Sequence, residues 1–307
     1  MLPVLAVVLA ALCFSTTGTA QALASVDASP LAVGAARILV GGGILGVAAL
    51  VFRTRGRAVA DAVPARARRG STGLIVAMGA LGVLAYQPAF FLGTRANGVA
   101  IGTVVALGSA PIITGALEAV LRRRAPGLRW AVATAIALTG VVLVSGLVAG
   151  GAPHSSVDPV GVLASVGAGA SYALYAVASK LLLDRSWAPH AAMGAIFGSA
   201  AVLSVPLLLV GGTAWLATPD GVALALWLGV VTTAVGYLLF AWGLRSLRAT
   251  TVATLTLAEP LSATLLGIVL LHEQLSAMSV AGLVAIAGGL VVLGAGRRRP
   301  GDVAAPA

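Results

Sequence analysis

The chain has 307 residues, of which 59% are hydrophobic and only 9% are charged, with a mean hydropathy of +1.05 and a formal net charge of +10. A soluble domain needs many more charged residues on its surface, so this composition excludes the soluble classes and indicates an integral membrane protein. The positive charge does not indicate nucleic-acid binding, because aromatic residues are few and the basic residues do not share one solvated face.

Apolar runs divided by breaks rich in Arg, Pro and Gly predict ten membrane-spanning helices. At ~1.5 Å per residue, each run is about long enough to cross a hydrocarbon core of ~30 Å. The predicted spans are 2–22, 31–52, 73–93, 98–119, 128–148, 160–181, 190–210, 221–243, 250–271 and 277–295.

The first span has an alternative interpretation as a cleaved signal, because Thr19-Ala20-Gln21-Ala22 ends in small residues. A signal usually has basic residues before its apolar part, and none precedes this one. We therefore predict a retained helix. The single cysteine, Cys13, lies within this run, which excludes a disulfide framework and indicates no thiol metal site.

The basic residues predict the orientation of the helices in the membrane. If the N-terminus is inside, 17 of the 19 Lys and Arg residues fall in cytoplasmic loops, whereas the outer loops contain only Arg95. Arg37 remains within the second span. Such a bias is the positive-inside pattern, so we predict an inner-membrane protein with both termini in the cytoplasm.

The ninth span contains an unusual pair of residues near its middle, Glu259-Pro260. A carboxylate at the centre of a membrane helix costs about 2.5 to 3.5 kcal/mol, so it must face protein, water or a ligand. Pro260 cannot donate a backbone hydrogen bond, which predicts a kink and an unpaired carbonyl at Thr256. The two residues together predict a polar notch within the membrane.

The second half of the chain repeats features of the first. Adding 149 to a residue number aligns Pro111 with Pro260 and Gly140 with Gly289, without a gap, and the aligned pairs also include Leu117 with Leu266, Val120 with Val269, Leu121 with Leu270 and Val142 with Val291. Chance identity in a composition rich in Ala, Leu, Val and Gly is the alternative. A duplication of five helices, an odd number, inserts its second copy upside down, and inverted repeats of this kind are typical of secondary transporters.

Several polar side chains within the spans are candidates for a solute site. Glu259 is either a proton or ammonium site or a structural carboxylate bonded to hydroxyls such as that of Thr256. Arg37 either binds a ligand or extends its long side chain to the outer interface. Buried aromatic and amide groups suit amphipathic solutes, although packing alone explains each one separately, and the group comprises Tyr86, Gln87, Tyr172, Tyr175 and Tyr237.

The chain resembles the EamA family of the drug/metabolite transporter superfamily. The resemblance covers both halves and is clearest in Ala258-Glu259-Pro260, in Leu270-Leu271-His272-Glu273-Gln274-Leu275 and in Gly282 and Gly288-Gly289. Leu-His-Glu departs mildly from the family's usual Leu-Gly-Glu turn. In the first half, Arg124 stands where Glu273 stands in the second, although Pro30 and Arg37 resemble the family's second helix.

The resemblance implies an all-α membrane protein with ten transmembrane helices arranged as two inverted five-helix repeats. The expected units are residues 1–149 and 150–296, followed by a cytoplasmic tail at 297–307. The helices that line the cavity in relatives carry the candidate residues named above, with Pro111 and Pro260 as helix kinks. Family membership says little about the solute.

Taken together, these features predict a secondary transporter that exports small metabolites, amino-acid-like or amphipathic, by alternating access. No nucleotide-binding loop, cofactor or metal site is predicted, so a solute or proton gradient would drive it, with Glu259 as the proton carrier. The expected partners are a small solute and the lipid bilayer, and the protein would be a monomer or homodimer.

Two alternatives remain open. One is an uncoupled facilitator or uptake permease, in which Glu259 is structural. The other is a membrane enzyme or accessory subunit that acts on lipid, for which the outer loops offer no pair of groups at catalytic spacing. Their polar residues are Asp27, Arg95, His154, Asp158, Asp220, His272 and Glu273.

Overall fold

The computed structural model describes residues 2–24, 26–53, 65–145, 147, 157–271 and 276–294. These residues form ten membrane-length or near-membrane-length helices and no strand. The helices are α1 Leu2–Ala24, α2 Pro30–Arg53, α3 Thr72–Gly98, α4 Ile101–Arg122, α5 Leu128–Val144, α6 Pro159–Asp184, α7 Pro189–Gly211, α8 Pro219–Ser246, α9 Ala249–Leu270 and α10 Ala277–Gly294.

Three features of the helices differ from the predicted spans. Helices α3 and α4 belong to one helical segment, Ala65–Arg122, which is broken at Gly98, where φ is 80° and ψ is 158°. Only glycine adopts such a conformation readily, so the predicted loop between them is reduced to this break. Helix α5 has 17 residues and is shorter than the other nine, yet still within the ~17 to 25 residues that span a bilayer.

Proline and a capping side chain mark where several helices begin. The Asp158 carboxylate accepts a hydrogen bond from the Val160 N–H at 2.9 Å, and Pro159 is the first residue of α6. Thr218 accepts from the Gly221 N–H at 3.1 Å in the same way, before Pro219 of α8. Proline fits this position because the first helical N–H has no partner within the helix.

Helices from opposite halves contact each other closely through glycine. A Cβ atom added to Gly46 of α2 would lie 3.2 Å from the Cα of Gly198 in α7, and one added to Gly198 would lie 3.0 Å from the Cα of Gly46. These reciprocal contacts let the two backbones touch, as small residues do in membrane helix pairs.

The α5–α10 pair shows the same reciprocity in the register seen in the sequence. A Cβ atom on Gly140 would meet the Gly282 carbonyl oxygen at 2.6 Å and Ile286. A Cβ atom on Gly289, which lies 149 residues after Gly140, would meet the Ala133 carbonyl oxygen at 2.7 Å and Ala137, and these lie 149 residues before Gly282 and Ile286. The two helices therefore cross antiparallel with equivalent contacts, as an inverted repeat requires at this pair.

Adjacent glycines in α10 provide a matched test of this packing. Gly289→Ala should lower the free energy of unfolding by about 1 to 3 kcal/mol, because its Cβ would overlap the Ala133 carbonyl. Gly288 faces open space, so Gly288→Ala should be neutral or stabilise the helix by up to about 1 kcal/mol. Denaturant titration of both variants in detergent measures the difference, and equal stabilities would show that α5 and α10 do not pack as described.

The orientation can be tested at the two ends of α7. Ala188 precedes α7 and Ala217 lies in the short helix that follows it, and both side chains are exposed. In a Cys13→Ala background, we expect Ala217→Cys to react with an impermeant thiol reagent added outside, and Ala188→Cys to react only after permeabilisation. The reverse pattern would contradict cytoplasmic termini.

Candidate functional site

A cavity of about 560 Å³ lies between the two halves of the molecule. Its walls come from α1, α2, α3, α4, α6, α7, α8 and α9. In α1 the lining residues run from Phe14 to Ala22, and in α3 from Val83 to Phe91, which are the later parts of both helices. In α4 they are Leu107 and Ala110, in its first half. The cavity therefore occupies the membrane half where α1 ends, which is the outer half in the predicted orientation.

All eight residues predicted from the sequence to bind solute or protons line this one cavity. They come from five different helices, and they are Arg37, Tyr86, Gln87, Tyr172, Tyr175, Tyr237, Thr256 and Glu259. The fold thus brings together side chains that are up to about 220 positions apart in the chain. Their roles in binding remain predictions.

Glu259 lies in the cavity just after an interruption in α9. The α-helical parts of this span are Ala249–Leu255 and Ala258–Leu271, with Thr256 and Leu257 between them. The prediction of an unpaired Thr256 carbonyl is wrong, because the Glu259 N–H donates to it at 2.9 Å. The chain avoids the loss caused by Pro260 by tightening one turn so that the bond spans three residues instead of four.

The expected hydrogen bond between Thr256 and Glu259 is also absent. The Thr256 hydroxyl donates to the Ala253 carbonyl at 2.9 Å and lies 2.9 Å from the Tyr172 hydroxyl. Within the described residues, the Glu259 carboxyl has no hydrogen bond and no ion pair, although it faces the cavity. It is thus available to a proton or a solute, whereas a purely structural carboxylate would have its hydroxyl partners in place.

Arg37 lies across the cavity on α2 and has no described partner either. Its Nε atom is buried without a hydrogen bond, and its guanidinium makes no ion pair with any described carboxylate. Since its side chain lines the cavity, the alternative in which it extends to the outer interface does not describe this structure. An unpaired buried donor is costly, so a ligand that accepts hydrogen bonds here would gain affinity.

Aromatic rings close one side of the cavity. The Tyr237 ring centroid lies 4.2 Å from that of Phe197 and 4.9 Å from that of Phe14. Tyr172 and Tyr175 pack edge to face at 5.0 Å, and the Tyr237 hydroxyl donates weakly to the Tyr175 hydroxyl at 3.5 Å. This wall presents apolar faces with a few hydroxyls, which suits a solute that is partly apolar.

A π-helical stretch in α8, Leu228–Val235, supplies part of the wall. It brings Thr233 to the cavity and lets α2 approach so closely that a Cβ atom on Gly41 would lie 2.4 Å from the Gly229 carbonyl oxygen. The Thr233 hydroxyl donates to the Leu228 carbonyl at 2.9 Å, five residues back. Such bulges cost helical hydrogen-bond geometry and often mark functional sites.

Four charged residues that the sequence analysis did not single out form a cluster at the other end of the helices. Arg122 lies 2.9 Å from Glu118 and 2.9 Å from Asp184, and Lys180 lies 3.1 Å from Asp184. Lys180 was assigned to a loop but is buried inside α6. The i, i+4 spacing of Glu118 with Arg122 and of Lys180 with Asp184 was a visible signal of pairing on a helix face.

Some predicted features fall outside the described residues. They include the turn at His272 and Glu273, the arginines at 297–299 and the tail from 295 onward. Within the described residues, no three His, Cys, Asp or Glu side chains come close enough to hold a metal ion. The chemistry available in the cavity is therefore that of one carboxyl, one guanidinium, an amide and several hydroxyls.

Comparison with known proteins agrees with this architecture. The model of the EamA-like transporter family matches residues 1–146 and 159–295. The chain is 37% identical over 293 residues to the uncharacterized transporter YwfM of Bacillus subtilis (strain 168), which covers 95% of this chain and 94% of that one. A solved structure described only as the crystal structure of a protein superposes with a TM-score of 0.76 over 94% of this chain and 95% of its own, at 20% identity, and so shares the fold. The chain therefore belongs to the EamA-like transporter family and is a multi-pass membrane transporter.

Proposed function

We propose that this protein exports small zwitterionic or amphipathic metabolites, such as amino-acid-like solutes, across the inner membrane in exchange for protons. One observation carries the proposal: Arg37 and Glu259 face the same cavity with opposite charges, and neither is paired with a described residue. A solute with an acidic and an ammonium group would satisfy both, since charged hydrogen bonds are short and strong in such surroundings.

The size and lining of the cavity support a small organic solute. About 560 Å³ accommodates a metabolite of modest size, since ligand sites commonly measure ~300 to 1,000 Å³. The aromatic wall of Tyr172, Tyr175 and Tyr237 provides apolar contact, whereas Gln87 offers an amide. A solute that combines a charged end with an apolar body matches both sets of groups.

Alternating access is proposed from the arrangement of the halves. Residues 1–149 and 150–296 are proposed as the two repeats, because the α2–α7 and α5–α10 contacts are reciprocal and the family model matches one stretch in each half. In inverted repeats the site lies near the midplane, and rocking one half against the other opens it to either side. The cavity lies in the predicted outer half, so this conformation is proposed to be the outward-open one.

Glu259 is proposed to couple solute movement to protons. A carboxyl at mid-membrane depth in the cavity is reached alternately from each side as the halves rock, and its protonated form removes the cost of a charge in the membrane. Release of a proton would then leave a carboxylate ready for the solute ammonium group. Competition between proton and solute for one carboxyl gives exchange.

Transport by purified protein in liposomes tests this proposal. A panel of labelled amino acids and amphipathic amines should include solutes that move faster than in empty liposomes, and a pH gradient should drive their accumulation. Uphill movement against the gradient of protons, in the direction of proton entry, supports exchange. Movement that a pH gradient does not alter would favour the uncoupled facilitator, and no movement of any zwitterion would contradict the proposed solute class.

A further inference from the structure

The charged cluster of Glu118, Arg122, Lys180 and Asp184 lies where the membrane half opposite the cavity ends. Glu118 and Arg122 are near the end of α4, and Lys180 and Asp184 are near the end of α6. The first two belong to the first half of the chain and the other two to the second. We refer to these four residues as the ion-pair cluster.

The ion-pair cluster connects the halves through two separate contacts. The Arg122 guanidinium reaches the Asp184 carboxylate at 2.9 Å. The Glu118 carboxylate accepts a hydrogen bond at 3.0 Å from the backbone N–H of Thr250, at the start of α9. Glu118 is only 7% exposed, so this second contact is shielded from water and from salt.

Lys180 extends the cluster to α8. Its ammonium group donates to the Leu244 carbonyl at 3.0 Å and lies 3.1 Å from Asp184. Three helix ends of the second half, those of α6, α8 and α9, are thus held to α4 of the first. Every charge in the cluster has an opposite charge as a partner, so the cluster is satisfied only while these four helix ends stay together.

A second cavity lies on the other side of this cluster. It measures about 350 Å³ and is lined by Glu118, Arg122 and Thr250, together with Arg124, Pro126 and Arg248. Thr250 lines the second cavity, and Ala253, less than one helical turn further along α9, lines the main cavity. The short α9 segment held by Glu118 therefore separates the two cavities.

We propose that the ion-pair cluster is the inner gate of the transport cycle, which closes the solute cavity toward the cytoplasm. This inference rests on the proposed alternating-access function. Rupture of the Arg122–Asp184 and Glu118–Thr250 contacts releases the first segment of α9 from α4 and joins the two cavities. The interruption at Thr256 and Leu257 lets this segment move without the rest of α9. The gate reforms when the cavity opens outward.

Thiol labelling tests the gate without any knowledge of the solute. Ala253→Cys in a Cys13→Ala background places one reporter thiol on the main cavity, where Ala253 is 2% exposed. Labelling by an impermeant reagent added at the cytoplasmic side is slow while the gate is closed. Arg122→Gln, Glu118→Gln and Asp184→Asn each remove one charge with little change of shape, and each should speed this labelling about three- to tenfold.

The matched control is Arg124→Gln, because Arg124 lies beside the cluster and makes no ion pair with a described residue. It should leave the labelling rate unchanged. In the double variant Arg122→Gln/Asp184→Asn, the rate should not exceed that of the faster single variant, because both changes break one contact. Asp184 is partly exposed, so Asp184→Asn is a variant whose folding is not at risk from a buried change.

The outcomes separate the gate from the proposed transport activity. Faster labelling in all three variants supports the gate, even if no solute in the panel is transported, in which case the proposed function fails alone. Unchanged labelling in folded Arg122→Gln, Glu118→Gln and Asp184→Asn proteins would overturn the gate, whatever the transport result.

Discussion

Glu259→Gln should abolish solute accumulation driven by a pH gradient while solute exchange across the same membrane continues. The amide has nearly the same shape as the carboxyl and keeps hydrogen-bonding capacity, but it neither binds nor releases a proton at the pH of the assay. The protein should therefore fold and occupy the bilayer normally, and accumulation should fall to the level of empty liposomes.

The structure makes this the change with the largest expected effect. Glu259 is the acidic residue that lines the main cavity, and its carboxyl has no described partner that would give it a purely structural role. The repeat retains proline at Pro111 and Pro260, but the residue before the first is Ala110. A kink present in both halves serves the architecture, whereas an acid present in one half indicates chemistry.

Asp220→Asn is a suitable control, because Asp220 is an exposed acid in the first turn of α8, outside the cavity. It should transport like the unchanged protein. If the Glu259→Gln protein still concentrates solute at the original rate, proton coupling through this residue is wrong. The uncoupled facilitator would then be the better description.

Arg37→Gln should raise the KM for an acidic or zwitterionic solute by about tenfold to a hundredfold, with a smaller effect on the maximum rate. The guanidinium lines the cavity with a buried Nε that lacks a partner, so the solute acid group is expected to supply it. A hydrogen bond to a charged group contributes about 1.5 to 3 kcal/mol, which corresponds to this range.

Two further variants sharpen this result. Arg37→Lys keeps the charge but not the forked donor geometry, so it should have an intermediate KM. Arg95→Gln removes an exposed arginine near the same end of α3 without touching the cavity, and it should have no effect. KM values for an amine that lacks an acid group should not respond to Arg37→Gln, and an equal rise for that amine would contradict acid recognition by Arg37.

Much of the candidate site was predictable because the membrane makes polar residues conspicuous. In a chain with so few charges, Arg37 and Glu259 within apolar runs mark positions where the fold must provide water, protein or ligand. The tyrosines Tyr86, Tyr172, Tyr175 and Tyr237 followed from the same reasoning, since a buried hydroxyl needs a partner. The structure places all of them around one cavity.

The partners of these groups were less predictable. Thr256 was expected to bond Glu259, yet its hydroxyl contacts Tyr172, from a helix 84 residues away in sequence. Glu118 and Asp184 were not singled out, because charges near the ends of spans are common and raise no suspicion. Their importance depends on the meeting of α4 with α6 and α9, which no local pattern records.

The sequence by itself determined the fold class, the number of helices and the family, and the structure and the comparisons confirm these predictions. Hydropathy and proline positions suffice for this, since a bilayer allows few ways to bury a backbone. Only the tertiary structure decided which helix ends meet, where the cavity lies along the helices and which polar groups have partners. Those features arise from contacts between distant segments, and they depend on interhelical distances and side-chain directions that the order of residues along one helix does not contain.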